Sequence, residues 1–315
     1  MDIREKATKV INTKVNGDDL VSYYVGFDLN DAGEMEYRLK EFVNILINII
    51  PEFAFGHHQG TKTDNTEIIT KVSEAARAIY KIKEFREVSD LYLDDKFLDD
   101  DIGIEKKYLK RGEFGELILH FLLKNFHGTV PLISKVYFKD SYGHAVHGFD
   151  SVHVHDESKT LWLGESKLYT DGKKGLSALI EDIKEHFNRN YLNDEFSIIS
   201  KRVKDSGHLE DSAKTWLDLL DSSTKLAEKL NKIVVPLICT YSCDLFNKHS
   251  NEDDKDFLLE YQQEVENLKK HFDDNYNHPW KQNLQVIVIL FPVQSKNQLI
   301  KKLHEKLVFM QKLGD

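Results

Sequence analysis

Apolar residues recur along this chain at two spacings, and the change from one to the other marks out its elements. LVSYYVGFDL (20–29) is aromatic and β-branched and predicts a strand. From Glu34 to Ile50, Leu39, Phe42, Val43, Leu46, Ile47 and Ile50 form a helical stripe. A second amphipathic helix is predicted over 66–88, entered through Asp64 and Asn65. A third, over 111–126, carries Phe114, Leu117, Ile118, Phe121 and Leu122 on one side. Three short strands follow at 133–140, 149–156 and 161–169, with turns at SYGHAVHG and DESKT. Leu176, Leu179, Ile180, Ile183 and Phe187 predict a helix over 175–189, and a polar helical region fills 195–231. IVVPLICTY (233–241) and LQVIVILFP (284–292) are short and continuously apolar, as strands buried on both faces are. A last helix is predicted over 295–312. This alternation implies an α/β fold, a mixed central sheet flanked by helices, preceded by a smaller α+β segment.

Composition narrows the classes. Hydrophobic residues make up 41% of the chain, which suits a packed core and not a disordered segment. The longest apolar run, Ile45 to Phe55, is broken by Asn48, Pro51 and Glu52, so no membrane span is expected. The start MDIREKATKV lacks an apolar signal region. Two cysteines, Cys239 and Cys243, are too few for a disulfide framework or a zinc site of their own. These features read as a cytoplasmic protein. The net charge of −10 argues against a protein that coats nucleic acid. The deficit is uneven: 20 of the 53 acids but only 13 of the 43 bases lie in residues 1–100. Segment 105–202 has 14 acids and 15 bases and is nearly neutral. The switch from DLYLDDKFLDDD to EKKYLKRGE sets a domain boundary near residue 100. Residues 1–100 are then a docking or regulatory unit and 101–315 the chemical one.

The chemistry concentrates on the hairpin of 149–156 and 161–169. Alternation puts Asp150, Val152 and Val154 on one face of the first strand and Leu161, Leu163, Glu165 and Lys167 on one face of the second. If the apolar members pack together, Asp150, Glu165 and Lys167 emerge at the same end of the sheet. Unpaired buried carboxylates are costly, so such a cluster calls for a metal or for ion pairing. Glu116 stands just before the main apolar run of its helix, with Glu113 one turn earlier as its competitor.

A helix acid, then a hairpin bearing Asp150 and Glu165-Ser166-Lys167, then a helix: this order resembles the PD-(D/E)xK nuclease superfamily. Phe149 stands where the superfamily name has proline. The strings RGEFGE, HGFD and GESKLY more closely resemble the HamA family, nuclease subunits of the Hachiman antiphage system. That resemblance implies a restriction-endonuclease-like core and a metal-dependent DNA nuclease of low sequence specificity, working with a helicase partner, HamB. It implies Glu116, Asp150, Glu165 and Lys167 as catalytic residues. Asp150, Glu165, Glu116 and the Ser166 carbonyl would serve Mg²⁺ or Mn²⁺. A hard cation held by few carboxylates suits phosphodiester hydrolysis, and Lys167 would orient water or offset charge on the phosphate. No Walker-type phosphate loop occurs, so an ATP-driven motor would be another chain.

Plainer readings use the same residues. Asp150, Glu165 and Lys167 could form a structural cross-strand ion cluster, which would make the chain an inert protein-interaction module. His153 and His155 fall on the face opposite Asp150 and read as packing or solvent-facing residues. His147 could reach a phosphate, and so could Lys173 and Lys174 at the next helix start.

Overall fold

The computed structural model describes residues 3–56, 67–80, 83–97, 113–132, 148–205 and 211–313. In chain order the elements are α1 (Ile3–Ala7), β1 (Ile11–Asn16), β2 (Leu20–Val25), β3 (Phe27–Leu29), β4 (Met35–Tyr37), α2 (Leu39–Asn48) and α3 (Ile50–Phe55). Then come α4 (Ile68–Tyr80), α5 (Lys83–Leu93), α6 (Glu113–Phe126), β5 (Val130–Pro131), β6 (Ser151–His155), β7 (Thr160–Tyr169), α7 (Gly172–His186) and α8 (Arg189–Asp205). The last are α9 (Asp211–Leu220), α10 (Leu226–Leu230), β8 (Ile233–Ser242), α11 (Leu245–Lys248), α12 (Lys255–Asn275), β9 (Gln285–Val293) and α13 (Lys296–Lys312).

Seven strands form one mixed sheet in the order β1-β2-β9-β8-β7-β6-β5. The four central strands, β2, β9, β8 and β7, are parallel, and antiparallel neighbours close both edges. The two continuously apolar runs became β8 and β9 at the centre, where helices cover both faces and every side chain needs an apolar environment. α6 lies on one face: a Cβ placed on Gly115 would meet Ser166 Oγ at 3.2 Å and Leu168. On the other, Gly172 of α7 packs against Tyr241 of β8 and Leu268 of α12. Gly175 would clash with the Cys239 thiol if it carried a side chain, so α7 is seated directly on β8.

The hairpin register follows the expected alternation. Val152 pairs with Leu163 and Val154 with Leu161. The predicted helix from Glu34 starts only at Leu39, because Met35–Tyr37 pairs as β4 with Phe27–Leu29 of β3. Of the helix expected over 66–88, Ile68–Tyr80 (α4) and Lys83–Leu93 (α5) are helical, and residues 81 and 82 between them lie outside the described residues. The strand expected at 133–140, most of the turn after it, and His144 and His147 lie outside the described residues. The boundary expected near residue 100 also falls outside them. The first hundred residues supply β1 and β2, and β2 hydrogen-bonds in parallel to β9 with Leu20 opposite Val288. Cys243 lies in the loop just after β8 and is buried, and burial pushes its thiol up to about 12. Among the described residues, no helix is long and apolar enough to cross a membrane.

Candidate functional site

The β6 ladder ends where Ser151 pairs with Gly164, and among the described residues no strand pairs with β7 on that side beyond it. Asp150, one residue before β6, bonds to β7 there. Its Oδ2 accepts from the Ser166 backbone N–H at 2.9 Å and from Ser166 Oγ at 2.8 Å. The carboxylate thus takes the place of a strand acceptor and lies in the sheet plane between the two faces. Glu165 and Lys167 flank Ser166 in β7 and, by alternation, share the face covered by α7.

α7 answers both. His186 Nδ1 is hydrogen-bonded with Glu165 Oε1 at 2.6 Å, the imidazole donating whenever Glu165 is ionised, and Lys167 is ion-paired with Asp182. Asp182 and His186 are one turn apart, on the flank of the apolar stripe that seats α7. Glu165 is only 2% exposed, whereas the Lys167, Asp182 and His186 side chains are about one-fifth exposed (20%, 19% and 19%). One buried acid therefore sits behind a rim that water reaches.

The electrostatics reflect crowding of like charge. Burial, and then the Asp150 carboxylate, push Glu165 up to about 7 against the pull of His186. Burial likewise raises Asp182, although Lys167 opposes the shift. For Lys167, burial favours the neutral amine, but Asp182, Asp150 and Glu165 outweigh it and hold the ammonium above its usual range. The neighbouring carboxylates thus favour the ammonium form of Lys167.

The structure brings Asp150, Glu165, Ser166 and Lys167 together. Glu116 is buried on α6 at 4% exposure, next to the Gly115 that packs on Ser166, and so belongs to the helix on the opposite face of β7 from α7. Of Glu113, only its place at the start of α6 is described. His153 lies on the face away from Glu165, as alternation predicts, and is buried against His120 of α6 at 3.2 Å and Thr129 at 2.8 Å. Lys173 and Lys174 are exposed in the first turn of α7. Sequence reasoning missed Asp182 and His186. Their i, i+4 spacing beside the apolar stripe was the available signal.

The donors suit a hard divalent cation in kind: the Asp150 and Glu165 carboxylates act on one another, with backbone and hydroxyl oxygen alongside. Among the described residues, no three His, Cys, Asp or Glu side chains are grouped so as to enclose a metal. A cation here would keep several waters, as Mg²⁺ commonly does.

Fold and cluster together define a mixed α/β protein with an acid–lysine centre at a sheet edge. The HamA family model matches residues 1–307, so the chain belongs to the HamA family. That membership points to a role in antiphage defence by the Hachiman system. A search of curated proteins found no match.

Proposed function

We propose that this chain is a metal-dependent DNA nuclease of low sequence specificity, with a restriction-endonuclease-like core, acting in antiphage defence beside a helicase partner. One observation carries the reading: Asp150 and Glu165 are crowded at one sheet edge, with a protonated Lys167 beside them. A Mg²⁺ or Mn²⁺ ion, when bound, would polarise a phosphoryl oxygen and make water a better nucleophile. Asp150 and Glu165 supply the charge that holds it, with the Ser166 carbonyl and Glu116 as further oxygen donors. Lys167, kept cationic by Asp182, offsets charge that develops on the phosphate. Ser166 fixes Asp150 through its own N–H and hydroxyl. Docking of the helicase is assigned to the first hundred residues, where the cross-strand partners Leu29 and Met35 are exposed (64% and 39%). Metal-dependent cleavage of DNA that EDTA stops, and that Glu165→Ala and Lys167→Ala abolish while remaining folded, is the expected result. Full activity in both variants would remove the site assignment.

A second reading has its own observation. Glu165 and Lys167 already have protein partners, His186 and Asp182. A charge cluster completed in this way can serve structure alone, in an inert interaction module. A thermal-shift assay separates the two. A nuclease site gains stability with Mg²⁺ or Mn²⁺, and Asp150→Asn removes the gain. An inert module shows no gain.

A further inference from the structure

His186 is more than a counterion on the rim. Its Nδ1 is 2.6 Å from Glu165 Oε1, and its ring is clamped from two sides. Tyr191, at the start of α8, stacks on it with centroids 4.5 Å apart and planes 15° from parallel. Phe149 meets it edge-on at 5.9 Å and 84°. Phe149 also packs on Phe187 and Tyr191, and it directly precedes Asp150 in the chain. A single aromatic clamp therefore sets the backbone before one carboxylate and the hydrogen-bond donor to the other.

We infer that His186 is the positioning residue for Glu165: it fixes one carboxylate oxygen so that the other is presented to the divalent cation. The inference deepens the proposed nuclease reading and rests on it. Groups that hydrogen-bond a metal ligand commonly change metal affinity 10–100-fold when removed. An unclamped Glu165 would have to be ordered by the cation itself, at a cost in affinity. Asp182, on the same helix, has its ammonium partner and holds Lys167 instead.

The test is Mn²⁺ affinity of the full chain by calorimetry at pH 8. His186→Phe keeps the ring stacked on Tyr191 and removes only the donor. It should weaken Mn²⁺ binding about 10–100-fold while leaving the metal-free melting temperature within a few degrees. His186→Asn places an amide donor near the position of Nδ1 and should restore most of the affinity. A purely structural histidine would lower the melting temperature and leave Mn²⁺ affinity alone. If Glu165→Ala loses binding but His186→Phe binds like the native chain, the positioning role is wrong and the site assignment stands. If the native chain binds no Mn²⁺, both fall. Tyr191→Leu is the independent check: losing the stack should weaken binding by a smaller factor, and native affinity there would overturn the clamp.

Discussion

Two polar clusters lie on opposite sides of the same hairpin, and each joins a glutamate to a histidine. On the α6 side, Glu52 of α3 is ion-paired with Lys124 and stands 3.7 Å from His120 Nε2. His120 leads on to His153 and Thr129. Glu52, His120, His153 and Thr129 are all buried. On the α7 side, three carboxylates, Asp150, Glu165 and Asp182, gather around Lys167 and His186. The first cluster balances its charge with its own residues and ties α3 to the core. In the second, the described partners of the three carboxylates are Lys167 and His186, and its rim side chains are about one-fifth exposed. Buried pairs closed to solvent serve structure, while like charges crowded at an accessible edge invite a ligand.

The largest effect should separate the clusters by activity. Lys167→Ala or Glu165→Ala should lower DNA cleavage by about three orders of magnitude or more, since such groups supply several kcal/mol at the transition state. Glu52→Gln should leave cleavage near native. Cleavage lost in Glu52→Gln at full metal occupancy would erase the division between structural and chemical clusters.

Next is the pH dependence of metal binding. The Glu165 carboxylate is raised to about 7, and its proton must leave before a cation binds. Mn²⁺ affinity should rise about tenfold per pH unit up to near 7 and then flatten. Because folding favours the protonated acid, the metal-free protein should lose stability as pH climbs from about 4.5 through 7. Added Mn²⁺ should restore it. Melting curves with and without Mn²⁺ at pH 5.5 and 8 read both signs.

Glu52→Gln should instead cost about 2–3 kcal/mol of stability, below the full value for a broken buried ion pair because Lys124 is partly exposed. Urea midpoints measure it.

The smallest effect belongs to His127, a half-buried residue whose Nε2 is hydrogen-bonded with Tyr23 OH at 3.2 Å. Burial lowers its pKa to about 4, from 6.5 in the open chain. Stability should therefore fall as pH drops from 6.5 toward 4, by about 1 kcal/mol at pH 5 after allowing for its partial exposure. His127→Gln should flatten that slope in denaturant titrations.

Local pattern decided much of this protein. A period of two placed Val152 opposite Leu163 and so brought Asp150, Glu165 and Lys167 to one end, because slipping by one residue would expose every apolar side chain. Continuous apolar runs announced β8 and β9 for the same reason, since only a doubly covered strand can bury both faces. Tertiary structure alone decided the rest. Met35–Tyr37 left the helix because β3 offered it a ladder. Leu20–Val25 joined β9, more than 260 residues away, through backbone groups that carry no side-chain signal. Asp182 and His186 became part of the site because the seating of α7 on β8, at Gly175 against Cys239, set which flank of the helix faces β7. Periodicity tells which side of an element is buried. Which partner lies there depends on packing between residues far apart in the chain.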